Sequence, residues 1–228
     1  TKPWLCDETQ YWVPSASYKF AAIVDGEATD TTGLPETIPF TVTDGDGDLL
    51  YAEATATTNV DGTPSVNPVA FTFNHLLSKI QFTIANQMAA NYSIEVTGIT
   101  VTGAKKDGLY TIGTTFENST WTTTTVDTVP SLSFGTTDVI ASANTAVASK
   151  TRQILPVEQT LAVTIAYDIN YKGTKVASTT KSGNISAQTY LKNTVYNITA
   201  KIDATKIQFS VNAVDGFNAS TGGDINVQ

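Results

Sequence analysis

Several residue types are scarce in this chain. Its 228 residues include one cysteine, Cys6, and one histidine, His75. A lone cysteine cannot close a disulfide within its own chain, and one Cys with one His falls short of the usual Cys/His zinc sets. Basic residues are few: 13 Lys and Arg stand against 21 Asp and Glu, giving a formal net charge of −8 and a pI near 4.5. The densest basic spot is the pair Lys105-Lys106. A surface of this sign repels phosphate backbones and anionic headgroups, which argues against nucleic acid as a partner. No apolar run approaches the roughly 20 residues that a membrane helix requires. The opening Thr1-Lys2-Pro3-Trp4 lacks the basic and apolar regions of a signal peptide. The chain therefore reads as a cytoplasmic protein or as the mature or trimmed product of an exported one.

Charged residues make up only 15% against 41% hydrophobic ones, so Thr, Ser, Asn and Gly carry much of the polar surface. That mixture suits half-buried pleated strands better than helices, whose exposed faces use Lys, Glu and Arg. The recurrent pattern is apolar/polar alternation in short runs separated by Gly, Asn, Asp and Pro. Ile80, Phe82 and Ile84 alternate with Lys79, Gln81 and Thr83. Leu161, Val163, Ile165, Tyr167 and Ile169 form the longest clean alternation, and Lys172-Gly173 is the hairpin turn that follows it. Tyr196 to Ile202 and Ile207 to Val211 form two further strands joined by a tight connection at Asp203-Ala204-Thr205. Gly98 interrupts Ile94 to Val101 as a bulge. Between Gly103 and Ser149 the pattern weakens, with apolar islands at Leu109-Tyr110, Trp121 and Leu132 to Phe134. No helical period extends beyond a turn or two, and no repeat is present. The spacing predicts β-sandwiches or barrels. Pro64 and Pro68 after Asp61-Gly62 mark a break, which divides the chain into domains 1–66 and 67–228.

Few constellations suggest chemistry. His75 is the one histidine able to serve as a near-neutral base, with Ser78 close in sequence. No nucleophile-elbow motif accompanies it, so His75 is read as structural and the chain as not an enzyme. Asp44, Asp46 and Asp48, spaced by glycines, form the one calcium candidate. Leu49 and Thr55 replace the Gly and Glu that an EF-hand loop places at positions six and twelve, so a solvated Asp/Gly turn is the favoured reading, and no metal or cofactor is expected. Trp4, Trp12 and Trp121 could stack sugars or plug a core. The five Asn-X-Ser/Thr sequons, beginning at Asn91, Asn118, Asn184, Asn197 and Asn218, arise readily in so Thr/Asn-rich a chain and decide nothing.

The block Phe71-Thr72-Phe73-Asn74-His75-Leu76-Leu77-Ser78-Lys79-Ile80-Gln81-Phe82 resembles the signature of the fimbrillin-like proteins of Bacteroidetes, the type V pilus subunits. Asp48 to Ala52 resembles the family's short block upstream of the His. Tyr11 to Pro14, followed by Tyr18 to Ala22, resembles its N-terminal-domain strand entry. Tyr196 to Val211 is similar to the penultimate strands, with Phe217 where the family usually has Trp.

The resemblance implies an all-β fold of two transthyretin-like β-sandwich domains, from an exported, lipid-anchored precursor at the cell surface, outer-membrane associated or fimbrial. It also implies partners: other pilus subunits joined by strand exchange, and host or bacterial surface ligands in adhesion. Two departures bear on the expectation. Trp4-Leu5-Cys6 is not a lipobox, and the chain reaches the Tyr11-Trp12 block almost at once, so the N-terminal sandwich is expected to be incomplete. An incomplete sheet exposes unpaired backbone groups that a partner strand can satisfy. The tail from Asp215 to Gln228, with Ile225 and Val227, is the strand-donor candidate. A surface glycan-binding lipoprotein using the tryptophans, and calcium at the Asp loop, is the alternative.

Overall fold

The computed structural model describes residues 11–29, 33–66, 69–215 and 221–227, with backbone alone beyond residue 213. The fold is all-β, with no helix among the described residues. In chain order the strands are β1 (Ser17–Val24), β2 (Thr37–Thr41), β3 (Leu50–Thr57), β4 (Asn74–His75), β5 (Ser78–Asn86) and β6 (Tyr92–Thr102). They continue with β7 (Asp107–Thr111), β8 (Thr120–Thr123), β9 (Leu132–Gly135), β10 (Ile140–Ala141), β11 (Thr145–Val147) and β12 (Arg152–Ile154). The long β13 (Glu158–Tyr171) and β14 (Thr174–Thr189) precede β15 (Thr194–Ile202), β16 (Ile207–Asp215) and β17 (Thr221–Val227).

Two large sheets hold most of the core. One has the order β11-β5-β15-β16-β17, with β12 also on β5; the other has the order β10-β6-β13-β14, with β9 also on β6. Period-two alternation sets their inner faces. Ile80, Phe82 and Ile84 are fully buried, while Lys79, Gln81 and Thr83 on the opposite face of β5 are half-buried. Leu161, Val163, Ile165 and Tyr167 are buried as the alternation predicts. Ile169 is only half-buried, because it lies where the β13–β14 register shifts, opposite the exposed Ala177. Phe82 meets Phe134 edge to face at 4.7 Å, joining the two sheets through an aromatic pair.

The punctuation follows the sequence closely. Lys172 and Gly173 have φ of 48° and 80°, the paired positive values of a type I′ turn. Ala166 pairs with Gly98 and Tyr167 with Val96, leaving Thr97 as the extra residue of a bulge. Asp203 Oδ1 accepts the backbone N–H groups of Thr205 and Lys206, each at 2.7 Å, and these bonds hold its carboxyl below the usual range. At Gly183 a Cβ would lie 2.7 Å from Phe209 Cε2, so glycine lets β14 approach the opposite sheet.

Two smaller sheets cover one end: β1-β3-β4 and β2-β7-β8. Here the structure departs from a simple split at residue 66. Leu50 and Tyr51 pair with His75 and Asn74, and β2 pairs with β7 from Thr37↔Thr111 to Thr41↔Asp107. Both ladders cross the expected boundary. The islands at Leu109-Tyr110 and Trp121 thus complete a sheet begun by β2, and Ile38, Leu49, Leu77 and Tyr110 share one buried cluster with the large sheets. β7 and β8 are too short to show a period of their own, so the sequence did not reveal their partner.

Candidate functional site

The Asp44 to Asp48 loop lies between β2 and β3. Asp44 Oδ1 accepts the N–H of Asp46 at 2.9 Å, an Asx turn. Gly45 has φ of 76° and its carbonyl accepts the N–H of Gln153 at 2.8 Å. A Cβ on Gly45 would sit 3.0 Å from the Arg152 side chain, so the loop wraps closely over that residue. The Arg152 guanidinium, almost entirely buried, donates to the Asp46 carboxylate and to the Thr151 carbonyl. Asp48 turns elsewhere: its carboxylate pairs with His75 Nδ1 at 2.8 Å, and its N–H reaches Asp25 Oδ2 at 3.5 Å. The three carboxylates therefore serve a turn, a buried arginine and a histidine. Among the described residues no cluster of three or more metal-ligating side chains forms.

His75 closes β4 against Leu50 and is partly shielded, as is Asp48. Ser78, three residues further on, donates instead to the Leu191 carbonyl at 2.7 Å. The geometry thus gives His75 a carboxylate but aims Ser78 at a different acceptor. Replacing His75 by Asn is expected to lower stability by about 1 kcal/mol, the scale of a partly exposed contact between an imidazole and a carboxylate. A denaturant melt measures this, and an unchanged midpoint would show that the pair with Asp48 contributes nothing.

The tryptophans fall into separate groups. Trp12 packs edge-on against Tyr18 at 4.8 Å and Phe20 at 6.1 Å, beside β1. Trp121 donates its indole N–H to the Leu76 carbonyl at 2.8 Å and packs on Tyr110 at 5.5 Å, which makes it largely a plug. Trp4 lies outside the described residues.

Two adjacent clefts around Phe116 were not foreseeable from the residue pattern. One, of about 290 Å³, is lined by Tyr51, Glu53, Thr72, Asn74, Tyr110 and Phe116 among others. In it the Tyr51 hydroxyl donates to Glu53 Oε1 at 2.6 Å, and burial, with this bond second, pushes the phenol well above its ordinary range. The other, of about 420 Å³, is lined by Phe116, Glu117, Trp121, Tyr190, Leu191 and Lys192 among others. Lys192 Nζ donates to the Ser119 carbonyl at 2.6 Å and stands 4.8 Å from the centre of the Phe116 ring. Burial lowers the Lys192 ammonium from its usual range, and burial pushes the Tyr190 phenol up to about 12.

A family model described as fimbrillin-like matches residues 2–215. The chain belongs to the fimbrillin-like family. Among solved structures, this fimbrillin-like chain is similar to a fimbrial protein from Bacteroides vulgatus ATCC 8482, at 18% identity and a TM-score of 0.56, over 85% of this chain and 72% of that one. A candidate cell adhesion protein from Bacteroides uniformis ATCC 8492 follows, at 17% identity and a TM-score of 0.54, over 88% and 73%. One from Bacteroides ovatus ATCC 8483 has 12% identity and a TM-score of 0.53, over 100% and 74%. At these identities the likeness establishes the fold alone. No curated protein matches the chain significantly. As a fimbrillin-like protein, the chain is of the fimbrial type found at the cell surface. Its signature His block is the segment that pairs β4 with β3 and then enters the core as β5.

Proposed function

We propose that this protein is a structural or accessory subunit of a cell-surface fimbria, without catalytic activity, which assembles by β-strand donation and supports adhesion. The observation that carries the reading is the position of the last strand. Among the described residues β17 is an edge strand of the six-stranded sheet, held by a single antiparallel ladder to β16 that pairs Val211 with Ile225 and Phe209 with Val227. A strand bound on one side only can leave without breaking an inner ladder, so it is the cheapest element to exchange. An acceptor is available in kind: β1 pairs with β3 alone, which leaves its other backbone edge without a strand among the described residues. A donated strand would satisfy those groups, the mode by which open sheets capture extended segments. The proposal keeps two β-sandwich units with a break near residue 66, amended so that β7 and β8 pack with β2. Anchoring of a precursor in the outer membrane belongs to the same reading.

The test uses a synthetic peptide of residues 215–228 added to the whole protein, followed by thermal unfolding. Stabilisation that grows with peptide concentration, and is lost when Ile225 and Val227 of the peptide become Asp, is the expected result. Absence of any shift at large peptide excess would count against donation by this tail.

A further inference from the structure

The two clefts around Phe116 have the composition of a sugar site, and we infer that together they bind a neutral hexopyranose-containing glycan. This goes beyond the fimbrial reading and rests on separate observations. Sugars present two kinds of surface: patches of C–H that lie against aromatic rings, and hydroxyls that both donate and accept. The smaller cleft supplies partners for both. Phe116 stands in its wall, Tyr51 and Tyr110 lie beneath, and Glu53, Asn74 and Thr72 surround it with an acceptor, an amide and a hydroxyl. The Glu53 carboxylate is held by the Tyr51 hydroxyl at 2.6 Å, so one acceptor oxygen is oriented before any ligand arrives.

Phe116 also lines the larger cleft, where the Lys192 ammonium covers its ring. Lys192 gives one N–H to the Ser119 carbonyl and makes a longer, 3.4 Å bond to the Glu117 carbonyl. An ammonium has three donors, so one is left for a ligand. Glu117 lines the same cleft. A hydroxyl accepting from Lys192 while donating to Glu117 satisfies both, whereas a carboxylate ligand would be drawn to one and repelled by the other. The chain's net charge of −8 adds to that repulsion. The pairing of opposite charges at the cleft thus selects a neutral sugar. The volumes, about 290 and 420 Å³, are near the lower end for clefts that hold small ligands, and Phe116 lines both.

The experiment is saturation-transfer NMR on the whole protein with cellobiose, lactose, mannobiose and chitobiose, and with glucuronate as the charged comparison. At least one neutral disaccharide is expected to receive saturation, and Phe116→Ala and Asn74→Ala are each expected to weaken its Kd about tenfold, which corresponds to 1.4 kcal/mol. Circular dichroism checks that both variants fold; should Phe116→Ala unfold, Asn74→Ala and Glu53→Gln decide. The inference is overturned if no neutral disaccharide receives saturation, if the folded variants bind as the parent does, or if glucuronate alone binds. Strand donation by the tail can fail or succeed independently of each of these outcomes.

Discussion

Replacing Ile165 by Ala is expected to lower the unfolding free energy by about 2–5 kcal/mol. Ile165 lies in the middle of β13, flanked in register by Ile99 on β6 and Lys181 on β14, and its side chain is fully buried. Truncation removes three carbons from the space between the two large sheets, and flanking strands on both sides limit how far that space can collapse. The neighbouring Thr164 on the outer face shares a hydroxyl bond with Ser182 at 2.9 Å, and its replacement by Ala is expected to stay within about half a kcal/mol. Chemical denaturation of the two variants measures the contrast. A loss below about half a kcal/mol for Ile165→Ala would place that residue outside the core.

Replacing Asp46 by Ala is expected to cost about 1–3 kcal/mol, more than a surface carboxylate normally contributes. The Asp46 side chain is 64% exposed, so solvent screens its own charge; the Arg152 side chain is only 6% exposed. The cost therefore comes from leaving a buried guanidinium with the Thr151 carbonyl in place of a carboxylate acceptor. If so, adding Arg152→Met to Asp46→Ala should restore part of the loss, because an apolar chain of similar volume needs no acceptor there. A double variant no more stable than Asp46→Ala alone would show that the guanidinium is not the source.

The parts of the fold with two-residue periodicity were legible in the sequence, since burial on one face leaves its mark at every second position. Ile80 to Ile84 and Leu161 to Tyr167 are such cases, as is the Lys172-Gly173 turn, whose positive φ values demand particular residues. Ladders between short strands distant in sequence left no such mark. β2 and β7 have five residues each, and their pairing depends on where the large sheets carry them. The Asp44 to Asp48 loop shows the same limit at the level of chemistry. Its spacing is compatible with a cation, but Arg152 and His75, which come from β12 and β4, take two of its carboxylates. The clefts at Phe116 were invisible for a similar reason: Glu53, Asn74, Phe116 and Lys192 are scattered along the chain, and only the crossing of strands brings them together.

The pairing of β5 with β15 has a kinetic consequence. It is parallel, running from Ser78↔Thr194 to Asn86↔Ile202, whereas the other ladders among the described residues are antiparallel. A parallel partner cannot be supplied by a tight turn, and here the chain between the two includes the whole of the opposite large sheet. During synthesis Ile80, Phe82 and Ile84 emerge long before Ile198 and Ala200 exist to flank them in the sheet. The hairpin of β13 and β14 can close from local contacts, but the sheet containing β5 must wait until most of the chain is made. Such high contact order slows folding and leaves an apolar strand open to wrong partners in the interval. The sheet containing β5 is thus among the last parts of the fold that can be completed.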